Sequence, residues 1–457
     1  MAKGMDNGAK TMMGVAAICG CLAVGNGFCA QPDDVLHAWR TYWNERREEI
    51  DASIDRVRKA DCVYELRDDE GRRLANAEVE VRQVASDFNW GCGALCLGQL
   101  GAKNEAYEAK LSEFFNQLTT TFTPDAQMPK PGVYRFDDSQ PDVWRRPPPD
   151  RTLAFARKRD MLVKGQPLCC DHWHPAWAKR QTKAEAEEMY RAWFKAVADR
   201  YGKSFWSFDV VNEAFCARGR NPSFPLYGGD EAVPFVDWAY REAAKVFPKE
   251  TALAINMGIE STDWNDEGER YFRLCKRLVG QGIRLDAIGF QFHLFGVDDL
   301  QKLLKFQYWH PDMLRKSYET FATLGKPLYI SEITIPSTLL PGKAGEEVQA
   351  AAAVELYRFW FSRPEIHGVT WWNLMDGAAF KGEDAVKGAL LDDFAREKAA
   401  YQALRNLITR EFNTSFRTKT DASGRVSFRG FRGTYSISFR NAAGNGLSSR
   451  MFEVKCR

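Results

Sequence analysis

The chain has 457 residues, 45% of them apolar and 13% aromatic, enough to bury a large core and more than one compact domain usually needs. Its 63 basic and 61 acidic side chains leave a formal charge of +2, so no long-range field gathers polyanions and nucleic acid is not an expected partner. A large catalytic domain with something smaller beside it is the division these values suggest.

Residues 1–30 read as an export signal. Lys3 and Lys10 supply a positive start, and residues 11–25 form an apolar stretch too short to span a bilayer comfortably. Cleavage after Ala30 is expected, giving a secreted or cell-surface protein without a transmembrane span; Ile18 to Cys21 also resembles a lipoprotein cleavage box, which leaves surface anchoring open. Cys19, Cys21 and Cys29 fall in this segment, so eight of the eleven cysteines remain beyond it, an even number that permits disulfides. Cys92, Cys96 and the adjacent Cys169 and Cys170 form no CxxC pair, which favours buried thiols or disulfides over a metal site.

Residues 62–86 alternate apolar and polar on either side of DDEG, the pattern of a β-hairpin with a Gly turn. Residues 416–440 alternate in the same way and break at DASG and RG. The reading is one small β-sandwich assembled from residues 31–86, which open with a helix, and 410–457, with a disulfide between Cys62 and Cys456. Between these ends, eight short apolar runs recur at 88–94, 119–125, 161–170, 205–213, 251–257, 287–293, 327–335 and 368–376. Helical patterns separate most of them; in 183–202, Met189, Trp193, Val197 and Tyr201 fall four apart on one face. Eight strand–helix units are the count of a TIM barrel, so an α/β fold is expected, a (β/α)8 barrel over 87–409 with the sandwich as an accessory.

Two glutamates close strand-like runs, Glu213 in FDVVNEA and Glu332 in ISEITI. Strand ends of a parallel barrel converge on its C-terminal mouth, where paired carboxylates about 5 to 5.5 Å apart perform retaining glycoside cleavage. A lone Asn-Glu pair would more often be a solvated strand end. A second glutamate buried in so apolar a run costs free energy unless something uses or pairs it, and that tips the reading toward catalysis.

From about Phe88 to Ile408 the chain resembles glycoside hydrolase family 10, the retaining endo-β-1,4-xylanases. FDVVNEA resembles that family's acid/base motif, ISEITI its nucleophile motif, IGFQFH (288–293) its sixth strand and LLDDFAREKAAYQAL (390–404) its closing segment. The resemblance implies Glu213 as acid/base, Glu332 as nucleophile, His293 hydrogen-bonded to Glu332 with Gln291 beside it, Asn212 on a sugar 2-hydroxyl and Trp372 as an apolar floor. Adjacent tryptophans on a strand face opposite ways, so only one of Trp371 and Trp372 can reach the cleft.

Departures fall where the family holds the non-reducing side of its substrate. Asp125 and Ala126 replace its Glu-Asn pair, Lys130 is out of register, and Gln166, Cys170 and Asp171 stand where His, Trp and His are usual. His172 or His174 could replace the lost histidine, Phe380 takes the place of a tryptophan, and Trp177 lies in the same DHWHPAW stretch. Asp125, Asp171, His172, Trp177 and Phe380 are thus further candidates for substrate contact. The expected protein is a monomeric hydrolase of xylan or a related β-linked plant polysaccharide, without cofactor or metal. A non-catalytic glycan-binding barrel, a β-glycosidase for another sugar and a surface adhesion protein are the alternatives.

Overall fold

The strand-like runs at both ends and in the middle of the chain set the architecture of the protein, seen here in a computed structural model that describes residues 31–170, 173–215, 226, 233–258, 266–440 and 447–455. The expected export signal, Asp171, His172 and the Cys62–Cys456 pairing fall outside these residues. Two strands come first, β1 (Lys59–Glu65) and β2 (Glu78–Ser86). The eight apolar runs follow as β3 (Asn89–Gly93), β4 (Gln117–Thr121), β5 (Leu162–Gln166), β6 (Ser207–Asn212), β7 (Ala252–Met257), β8 (Ala287–His293), β9 (Leu328–Thr334) and β10 (Ile366–Trp371). They are parallel, neighbour one another in chain order and close through β10 against β3.

Every residue of β6 and β8 is buried, as a strand covered by helices on one side and barrel interior on the other requires. Gly165 shows how tightly the interior is filled: a Cβ there would sit 2.3 Å from the Phe208 ring. The helix Lys183–Tyr201 begins at a Thr182–Glu185 capping box and buries Trp193, Val197 and Tyr201, with Met189 at the margin. Trp371 is fully buried and donates its indole N–H to the Gly388 carbonyl at 3.1 Å, whereas Trp372 is half-buried at the mouth, as strand alternation demands.

Before β1 lie helices α1 (Pro32–Glu45) and α2 (Arg47–Arg58), whose Leu36, Trp39, Trp43, Ile50 and Ile54 join the barrel's hydrophobic core. After β10 come β11 (Ser415–Lys419), β12 (Arg425–Phe431), β13 (Gly433–Arg440) and β14 (Leu447–Val454). β1 pairs with β12, and a second sheet runs β11-β2-β13-β14, all antiparallel. Leu66, Val79, Val81, Val426, Tyr435, Ile437, Phe439 and Val454 fill this small sandwich.

The expected hairpin between β1 and β2 does not form, because the two strands sit in different sheets. The DDEG turn itself is present: the Gly71 N–H donates to the Asp68 carbonyl at 3.2 Å, Gly71 adopts φ 81°, and Arg67 bridges Arg73. Past the turn, Asn76 takes φ 54° and Ala77 donates to the Thr420 hydroxyl, carrying the chain across to the other layer. Local turn chemistry was sufficient for a turn; strand pairing was decided by partners from the far end of the chain.

Candidate active site

The C-terminal ends of β5 to β9 converge on Glu332. Strand alternation points this β9 side chain into the barrel mouth, where it is 4% exposed. Three side chains approach it: Gln166 Nε2 at 2.5 Å and Asn256 Nδ2 at 2.7 Å on Oε1, and His293 Nε2 at 3.0 Å on Oε2. Donors set this close offset the cost of burying a charge. His293 Nδ1 lies 2.8 Å from the Thr334 hydroxyl, so a proton on Nε2 facing the carboxylate leaves Nδ1 to accept from Thr334.

Glu213 is the first residue past β6 and has φ 53°, a left-handed conformation that costs a residue with a Cβ about 1–2 kcal/mol. Its backbone N–H donates to the Asn256 carbonyl at 2.9 Å. The conformation has a geometric result. Successive residues of an extended strand face opposite sides, yet Asn212 Oδ1 and Glu213 Oε1 both accept from Gln291 Nε2, at 3.3 and 2.9 Å. The turn at Glu213 therefore brings both side chains into one cleft.

Asn256 Nδ2 also donates to Asn212 Oδ1, at 2.8 Å, so a continuous set of amides joins the two carboxylates: Glu213 to Gln291 to Asn212 to Asn256 to Glu332. The Ser331 hydroxyl donates to Asn256 Oδ1 from behind. Asn212 Oδ1 is fully used by these contacts, which leaves its amide N–H groups for a ligand hydroxyl. One layer deeper, Asp209 is fully buried and pairs with Lys164 at 2.8 Å. Burial pushes the Asp209 carboxyl up, Lys164 draws it down, and the nearby Glu332 charge adds an upward push.

Aromatic faces flank this polar centre. Trp372 meets the His293 ring edge-on at 6.1 Å, and Phe295, 45% exposed, stacks on it at 4.6 Å. Glu213, Glu332, His293, Asn212, Gln291 and Trp372 are thus brought together. Asp125, Trp177 and Phe380 lie on loops after β4, β5 and β10 at the same mouth, and none bonds to the amide network. Asp125 is exposed, Phe380 is 39% exposed, and the Trp177 indole donates to the Met128 carbonyl at 2.8 Å, tying one loop to the next.

His174 does not replace the lost histidine. It is 3% exposed and its Nδ1 lies 3.2 Å from the Tyr190 hydroxyl, on the helix behind the loop. Burial holds its pKa below the usual histidine range. Gln166, by contrast, fills the position where a histidine was expected and contacts Glu332 directly. Asn256 and Phe295 were missed; the only signals were a polar residue near the end of one apolar run and an exposed apolar residue just past another.

The Glycosyl hydrolase family 10 profile matches residues 84–407. Endo-1,4-beta-xylanase B of Thermotoga neapolitana is 26% identical over 351 residues, covering 73% of this chain and 93% of that protein. Anti-sigma-I factor RsgI6 of Acetivibrio thermocellus is 22% identical over 414 residues, covering 88% of this chain, and the chain spans only 46% of that relative's length. Xylanase 10B from Thermotoga petrophila RKU-1, solved in complex with xylobiose, superposes with a TM-score of 0.58 at 22% identity over 71% of this chain and 95% of its own. A barrel of this topology matched by the profile over so much of its length has one classification: the chain belongs to Glycosyl hydrolase family 10.

Proposed function

We propose that the protein is a retaining β-glycoside hydrolase acting on β-1,4-xylan or a related β-linked plant polysaccharide. The observation that carries this reading is the pair of strand-end carboxylates joined through Gln291, Asn212 and Asn256, with Glu332 held by Gln166, Asn256 and His293. The names of the xylanase relatives support the substrate class.

Glu332 attacks the anomeric carbon while Glu213 gives its proton to the departing glycosidic oxygen, so the C–O bond to the leaving sugar breaks as the glutamyl ester forms. Water then attacks the same carbon, Glu213 takes its proton, and the ester bond to Glu332 breaks. The left-handed turn at Glu213 sets the acid beside Asn212, whose amide is free to hold the sugar 2-hydroxyl. Trp372 offers an apolar face to the ring. Export through residues 1–30 would place this activity outside the cytoplasm.

The test is incubation with xylo-oligosaccharides and a panel of other β-glycans, alongside Glu332→Ala and Glu213→Ala variants. Release of product by the intact protein and loss of release in both variants is expected. A 2-fluoro glycosyl fluoride should leave a covalent adduct on Glu332, read by mass spectrometry. An adduct elsewhere, or product of inverted anomeric configuration, would overturn the roles, and binding without release would identify a glycan-binding barrel.

A further inference from the structure

Two arginines, Arg145 and Arg146, lie on the loop between β4 and β5, and their surroundings treat them differently. Arg145 is 1% exposed and has a carboxylate partner: Nη2 pairs with Glu383 at 3.1 Å, while Nη1 donates to Asn373 Oδ1 at 2.9 Å and to the Ala378 carbonyl at 3.1 Å. Arg146 is 6% exposed, yet its bonds are to neutral groups, Nε to the Thr123 hydroxyl at 3.0 Å and Nη1 to the Arg145 carbonyl at 3.0 Å. None of the ion pairs among the described residues includes it. Its Nη2 makes no hydrogen bond there and is not sealed from solvent.

The place of this guanidinium is specific. Thr123, which anchors it, is two residues past the end of β4, so it sits at the mouth. Trp173, past β5, and Phe380, past β10, flank it with ring centroids 4.9 and 5.3 Å from its Cζ. Their planes lie 18° apart. Arg145 Cζ also lies 4.4 Å from the Phe380 centroid, so both guanidiniums rest against this aromatic pair. Burial pulls Arg146 down to about 10, with Asp125 acting the other way from a distance too great for a direct pair. A guanidinium stripped of water and left without a direct carboxylate is costly unless a ligand completes it. With Nε and Nη1 bonded, Nη2 is the remaining donor, and a carboxylate on a charged donor makes a stronger bond than a hydroxyl does.

We infer that Arg146, between Trp173 and Phe380, receives the carboxylate of a uronic acid side group on the glycan, so the preferred substrate is an acid-substituted xylan rather than a neutral one. This rests on the hydrolase reading given above.

The experiment compares kcat/KM for a glucuronate-substituted xylo-oligosaccharide with that for the same compound after its carboxyl is reduced to an alcohol. The ratio cancels any loss of folded enzyme. The intact protein should favour the acid about tenfold or more, less at high salt. Arg146→Gln should bring the ratio close to one, and Arg146→Lys should leave an intermediate value. A ratio near one in the intact protein, or an unchanged ratio in Arg146→Gln, would overturn the inference. If neither compound nor any other glycan is cleaved, the hydrolase reading fails, and the same pair is compared by calorimetric Kd. A preference for the acid that Arg146→Gln abolishes then upholds the anion site, and equal Kd values refute it.

Discussion

At the scale of single residues, the site depends on contacts that no short motif contains. Gln166 and Asn256 each give Glu332 a donor, and a hydrogen bond to a charged group contributes about 1.5–3 kcal/mol. Gln166→Ala and Asn256→Ala should therefore each lower kcat/KM by about tenfold to a hundredfold. Steady-state kinetics checks this, and an unchanged rate in either variant would remove that residue from the site. The left-handed Glu213 makes a separate prediction about stability. Glycine tolerates this conformation and alanine does not, so Glu213→Gly should be more stable than Glu213→Ala by about 1 kcal/mol in urea unfolding. Equal midpoints would mean that the turn stores no strain. Glu213 and Glu332 were legible as a pair because each closes an apolar run, whereas Gln291 and His293 were reached through the family resemblance of IGFQFH. Asn256 was not, since its role arises only where β6, β7 and β9 converge.

At the scale of elements, the loops after β9 and β10 are locked to the closing segment by a buried ion pair. Asp376 Oδ2 accepts from Lys398 Nζ at 3.0 Å, and Lys398 also donates to the Ser337 hydroxyl at 2.9 Å and the Lys387 carbonyl at 2.6 Å. Burial pushes Asp376 up from 3.8 to about 6, with Lys398 pulling against it. A carboxyl raised in the fold contributes most below its unfolded pKa, and that contribution fades as pH rises from about 4 to about 6. Measured by urea midpoint, the wild type should lose ground to Asp376→Asn across that window; parallel pH profiles would show that the carboxyl is not raised. Lys398→Met, which leaves the carboxylate buried and alone, should cost about 3–5 kcal/mol. The barrel strands were readable because each is a continuous apolar run. The sandwich strands were readable as strands but not as partners, since alternation marks a face and says nothing of which chain segment lies alongside.

At the scale of the whole molecule, sandwich and barrel share one seam. Phe431 of β12 belongs to the barrel's core, 5.8 Å from Phe361 and 6.2 Å from Phe412 by ring centroid, and the Arg432 side chain donates to the Val57 carbonyl. On the barrel side of the seam, the Arg58 carbonyl of α2 accepts from the Arg432 N–H at 2.9 Å, and the Arg58 side chain donates to the carbonyls of Phe361, Arg363 and Ile366. Calorimetry should therefore show one cooperative unfolding transition, and two resolved peaks would contradict the shared core. Phe431→Ala should cost about 3–5 kcal/mol and weaken both parts together. The strand exchange between chain ends has a further consequence for how the protein is made. β1 and β2 emerge first but find β12, β11 and β13 only after the entire barrel has been synthesised. Until then their edges stay open to other chains, so the hazard of aggregation is concentrated in the interval before the last strands arrive. A chain that stops short of β11 to β13 is therefore left with open edges on β1 and β2 and a core lacking Phe431, however well the barrel strands have paired.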